Sequence, residues 1–92
     1  MILSAEVECI LYDGHSLKEK RSILKSLMNR LRQRYNISVA ELDHHDVWQR
    51  TMLGIAIVSN ERVHAERVMQ SVLKDIDAVP ELERTITNIE FV

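Results

Sequence analysis

The sequence predicts an α+β fold of order βαββαβ, a four-stranded antiparallel sheet with two helices on one face. Three observations carry that expectation. Hydrophobic residues alternate with a period of two in the first strand-like run, while two separate stretches repeat at helical spacing. The helical stretches are split by two short strand-like runs, so the chain reads as two βαβ units with right-handed crossovers. The most apolar strands, Ile2–Tyr12 and Met52–Val58, are first and third in order. A ferredoxin-like arrangement makes those two the central pair.

From Ile2 to Tyr12, Leu3, Ala5, Val7, Cys9 and Leu11 point one way and Ser4, Glu6 and Glu8 the other, a half-buried strand with one wet face. Asp13-Gly14 supplies a turn. Ser16 followed by Glu19 forms a capping box, which opens a helix running to Tyr35. Leu17, Leu24, Leu27, Met28, Leu31 and Tyr35 fall on its core-facing side. Ile37–Leu42 reads as a second strand, and Asp43-His44-His45-Asp46 as a polar loop leading through Trp48 to Arg50. Met52–Val58 is apolar on both faces. Ser59-Asn60 caps a second helix whose stripe is Val63, Val68, Met69, Val72, Leu73 and Ile76. Pro80 closes that region, and Thr85–Val92 has the β-branched enrichment of a last strand.

Charge is distributed unevenly. The segment Ser16–Tyr35 holds seven of the twelve Lys and Arg residues against one acid, in a chain of net charge −2. Lys18, Arg21, Lys25, Asn29 and Arg32 form one stripe beside the apolar one. At 1.5 Å per residue that ridge reaches roughly 20 Å. Two readings stand for it: a solvated face balanced by carboxylates of the neighbouring helix, or a face that meets phosphates or an acidic partner. Lys20 falls among the apolar positions, where it is expected to snorkel outward.

Ninety-two residues suit one domain, here residues 1–92. The net charge of −2 argues against nucleic-acid binding by bulk charge, so any such contact is local. The single cysteine, Cys9, excludes an internal disulfide framework and sits on the apolar face of its strand, where packing is its expected role. No stretch approaches the ~20 apolar residues that span a bilayer. Met1–Tyr12 lacks the pattern of a signal peptide, which makes a cytoplasmic location the expectation.

Four features of the sequence bear on chemistry. The Asp43-His44-His45-Asp46 cluster has ligand-type residues, but adjacent histidines in an extended segment point to opposite sides, and His15 and His64 have no ligand spacing to it. Neither a metal nor a cofactor is expected. Trp48, beside Gln49 and Arg50, covers one end of the core or stacks on a base or a partner side chain. RNA reading through the open sheet face is disfavoured, because that side of the first strand offers Glu6 and Glu8 and the third strand has no aromatic. With only Gly14 and Gly54 there is no glycine-rich phosphate loop, and no Ser, His and Asp grouping has motif-like spacing. The chain is not expected to be an enzyme, and no small-molecule substrate suggests itself.

Four motifs taken together resemble the YlxP-like family of small bacterial proteins: Ser16 to Arg21 (SLKEKR), Ser38 to Glu41 (SVAE), Trp48-Gln49-Arg50, and Leu53 to Asn60 (LGIAIVSN). The resemblance covers essentially the whole chain. It implies a ferredoxin-like, cytoplasmic protein without an established activity or catalytic residues to carry over. Such proteins are often encoded near translation and ribosome-maturation genes, which implies a ribosomal setting. The basic family motif falls on Lys18, Lys20 and Arg21.

The first functional expectation is therefore a non-enzymatic accessory protein that touches ribosomal RNA or a ribosomal subunit through Lys18, Lys20, Arg21, Lys25 and Arg32. The second, of a different class, is a homodimeric interaction module. It would use the apolar open sheet face together with Trp48 and Arg50.

Overall fold

The computed structural model describes residues 1–12 and 16–92. Its elements are β1 (Ile2–Leu11), α1 (Leu17–Arg34), β2 (Ser38–Asp43), β3 (Arg50–Val58), α2 (Arg62–Asp77) and β4 (Leu82–Phe91). The sheet order is β2-β3-β1-β4 and every neighbouring pair is antiparallel, so β1 and β3 are central as expected. The Asp13-Gly14 turn and His15 lie outside the described residues.

Alternation in the two central strands builds the core. Leu3, Ala5, Val7, Cys9 and Leu11 of β1 and Thr51, Leu53, Ile55 and Ile57 of β3 are buried beneath the helices. They meet Leu24, Leu27 and Leu31 of α1 and Ala65, Met69, Val72, Leu73 and Ile76 of α2. Residues three and four apart line one side of each helix, which is why these positions close over the sheet. At the start of α1 the Ser16 hydroxyl accepts from the Glu19 N–H at 3.1 Å. One orphan donor of the helix end is thereby satisfied.

Three expectations are corrected. Val63 is exposed: at 100° per residue it lies opposite Met69 and Val72, and Ala65 takes the buried place. The N-cap of α2 is Glu61; the Ser59 hydroxyl instead accepts from the Glu61 N–H at 3.0 Å, forming the turn before the helix. β4 starts at Leu82 rather than Thr85, because a bulge opposite Glu8 and Cys9 keeps Leu82–Arg84 paired with β1.

The phase of the ladder decides which backbone groups face outward at each edge. Leu11 N–H donates to the Gln49 carbonyl and Ser59 N–H to that of Met1, so odd-numbered residues of β1 and β3 face one another. Val39 and Glu41, opposite Ile55 and Leu53, therefore turn their backbone groups to the free side of β2. Val92 N–H donates to the Ile2 carbonyl, so Glu90, Asn88 and Ile86 face β1. Phe91, Ile89 and Thr87 face outward from β4.

Candidate nucleic-acid interface

The five cations expected at this surface divide into two groups. Lys18, Arg21, Lys25 and Arg32 are exposed along α1, on the side away from Leu24, Leu27 and Leu31. Lys20 is not with them. Its side chain is fully buried, and its ammonium donates to the carbonyls of His44 at 2.5 Å and Val47 at 2.6 Å. The same nitrogen lies 2.9 Å from Glu41 Oε2, which also accepts from Thr51 Oγ1 at 2.7 Å. The expectation that Lys20 snorkels outward and reaches phosphate is corrected: an ammonium that meets a carboxylate and two carbonyls inside replaces its water shell there. The legible signal was joint. Lys20 has the helical phase of Leu24 and Leu27, and Glu41 has the strand phase of buried Val39.

Carboxylates of α2 balance only one end of the basic helix. Arg34 lies 3.1 Å from Asp75, and the Tyr35 hydroxyl donates to the same carboxylate at 2.8 Å. That hydrogen bond raises the Tyr35 pKa above its ordinary value. No carboxylate of the described residues pairs with Lys18, Arg21 or Lys25. Arg32, at the far end of the ridge, donates to the Val39 carbonyl at 2.9 Å and to Asn29 Oδ1 at 3.3 Å. It thereby covers part of the β2 edge while staying exposed.

The other expected contact residues meet at one end of the open sheet face. Arg50 begins β3 and its guanidinium bonds the Glu8 carboxylate on β1. Trp48, half-buried in the β2–β3 loop, shares a shallow depression with Glu8, Ile10, Tyr12, Arg50 and Ile86. The Tyr12 hydroxyl donates to Glu83, which raises the Tyr12 pKa. The two loop histidines diverge. His44 Nε2 lies 3.6 Å from Glu8 Oε1, whereas His45 Nε2 lies 3.0 Å from the Glu41 carbonyl. Among the described residues no group of three His, Cys, Asp or Glu side chains is placed to hold a metal ion. No helix among them is long and apolar enough to cross a membrane.

Residues 2–89 match the family model described as "Protein of unknown function (DUF503)", and the chain belongs to that family. A Bacillus subtilis (strain 168) relative, "Uncharacterized protein YlxP", is 52% identical over 91 residues, spanning 99% of each chain. Among solved structures, the de novo designed protein LFR1 1 with ferredoxin fold superposes with a TM-score of 0.63 at 11% identity. That match covers 100% of this chain and 87% of the design. SnoaB, a cofactor-independent oxygenase from Streptomyces nogalater, gives 0.64 at 9% identity over 99% of this chain and 92% of its own. At such identities the likeness shows the ferredoxin fold alone.

Proposed function

We propose that this chain is a non-enzymatic cytoplasmic accessory protein that docks on structured RNA through the exposed ridge of α1. One observation carries the reading: Lys18, Arg21 and Lys25 stand on one side of a single helix without a carboxylate partner among the described residues. Like charges repel along such a stripe unless something opposite compensates them, and a phosphate backbone does so at the spacing a helix provides. Arg32 extends the ridge while anchored to the β2 edge. Ribosomal RNA is the structured RNA to test first, a choice that rests on the family resemblance.

The test is co-sedimentation with ribosomal subunits from a bacterial lysate across a salt series. Three phosphate contacts predict that log affinity falls with log salt at a slope of roughly −2 to −3. The variant Lys18→Glu, Arg21→Glu, Lys25→Glu should lose binding while keeping its circular dichroism. Arg32 is left in place because it also holds β2. Binding that ignores salt, or that survives the triple reversal, would overturn the reading, as would a wild type that never travels with a subunit.

A further inference from the structure

The two edges of this sheet are finished differently, and the difference points to a partner. On β2 the outward carbonyls of Val39 and Glu41 meet the side chains of Arg32 and His45. The strand is also short and bulged between Glu41 and Asp43. These are the ways natural sheets close an edge against further strands. On β4 none of them operates beyond the bulge at Glu8 and Cys9. No described residue bonds the outward backbone groups of Thr87, Ile89 or Phe91. The run Ile86–Val92 contains neither proline nor lysine, and its one charge is Glu90. Ile86, Ile89 and Val92 are 54%, 43% and 77% exposed, an unusual apolar load for a free edge.

We propose that β4 pairs antiparallel with β4 of a second copy of this chain about a two-fold axis at Ile89, joining two sheets into one of eight strands. The register follows from the strand itself. The bulge ends the regular edge near Ile86, and at the other end the ladder closes where Val92 N–H bonds Ile2 at the start of β1, so the regular run is Ile86–Val92, whose midpoint is Ile89. About that midpoint Ile89 meets its own copy and Thr87 meets Phe91, which are the residues whose backbone groups face outward. On the open face Ile86 lies opposite Val92, and Asn88 opposite Glu90. Apolar residues therefore meet apolar ones, and the single carboxylate meets an amide rather than its own copy. A shift of the axis to Asn88 would set Ile86 against Glu90 instead.

The helix side of the edge fits the same partner. Between α2 and β4 runs a groove floored by Leu3, Met69, Ile89 and Phe91, with Glu66 and Gln70 on its rim. The Arg62 guanidinium sits 4.4 Å over the Phe91 ring and pairs with Glu66 at 2.9 Å. Pairing at Ile89 would continue the apolar floor across the axis beneath both copies of α2. The basic ridge of α1 contacts the β2 side, so it stays free at each outer end of the joined sheet. With strands ~4.8 Å apart, the two β2 edges would lie roughly 34 Å from one another.

The experiment needs no RNA and so fails independently of the proposed function. Sedimentation equilibrium of the wild type should give twice the 10.7 kDa chain mass at high concentration. Ile89→Cys should cross-link to its own copy on mild oxidation, because directly opposed hydrogen-bonded residues are about 5.5 Å apart at Cα, within disulfide reach. Asn88→Cys, two positions out of register with itself, should not. The native Cys9 is fully buried and gives no background. Ile89→Pro removes only an outward N–H and should yield a folded monomer. A monomeric wild type at every concentration would overturn the proposal, as would equal cross-linking by the two cysteine variants. So would a dimer that Val58→Glu, on the open face, dissolves while Ile89→Pro leaves it intact.

Discussion

β2 and β4 hold matching places in the two βαβ halves, and each is tied to its own helix by one ion pair. On the β2 side the pair is Lys20 of α1 with Glu41, whose side chains are 1% and 15% exposed. On the β4 side it is Asp77 of α2 with Arg84, bidentate at 2.6 and 2.9 Å and much more open to solvent. The same topological job is done by different physics. A buried ammonium must have every donor used, so Lys20 also fixes the loop carbonyls of His44 and Val47. A half-buried guanidinium can still fall back on water, so Arg84 constrains little beyond its own strand. One outer strand is thus locked to helix and loop, and the ion pair that ties the other to its helix is the looser one.

Replacing the two cations tests that contrast most severely. Lys20→Ala leaves the Glu41 carboxylate without its ammonium and two inner carbonyls without their donor. It should cost about 3–5 kcal/mol, the range for breaking a buried pair by removing one partner. Arg84→Ala should cost about 0.2–1 kcal/mol and lose even that in high salt. Urea midpoints of the two variants at low and high ionic strength would measure both. Equal costs, or a salt-sensitive Lys20→Ala, would mean that the two ties are of one kind.

A smaller effect arises where β1 runs beside β4. Cys9 lies opposite Arg84 and is fully buried. Burial pushes its thiol up to about 11, against the pull of the Arg84 charge, which lowers it. The folded protein therefore holds this proton more tightly than the unfolded chain, whose thiol keeps its ordinary value of 9.0. The resulting stability is complete below that value and is lost as pH rises through about 11. Other groups titrate in the same range, so the quantity to measure is the difference between wild type and Cys9→Ala. That difference should change by on the order of 2 kcal/mol between pH 8 and 11. A flat difference would mean that the thiol is reached by water.

Much of this architecture was legible in advance because it depends on period alone. Alternation in Ile2–Leu11 and apolarity in Met52–Val58 identified the central strands, and the spacing of Lys18, Arg21, Lys25 and Arg32 identified the ridge. What escaped depends on contacts between distant segments. Lys20 looked like a member of the basic motif until Glu41 and the His44–Val47 loop closed around it. His44 adopts a positive φ of 66°, held where its carbonyl accepts from Lys20 and its N–H donates to Asp43. No local pattern announces that backbone. The start of β4 was missed because Leu82–Arg84 lacks β-branched residues and is kept in the sheet by pairing with β1. The free groups of that strand's outer edge could be assigned only once the phase of the whole ladder was known.

The finest test of the contrast lies at Gly54, where β3 supports β2. A Cβ built there would come within 2.6 Å of Leu42 Cδ1, closer than packed carbons allow. Whether that matters depends on how firmly β2 holds Leu42. The locked parts of β2 are Glu41, through Lys20 and Thr51, and Val39, through Arg32. Leu42 points the other way, onto the open face, and is 52% exposed. Its side chain can swing into water without disturbing either tie, and an alanine in the strand removes the entropic cost of the glycine. Gly54→Ala should therefore shift stability by less than about 1 kcal/mol, read as a nearly unchanged urea midpoint. A loss of several kcal/mol would show that the lock on β2 extends through its backbone to the open face, and that the strand is rigid on both sides rather than only towards α1.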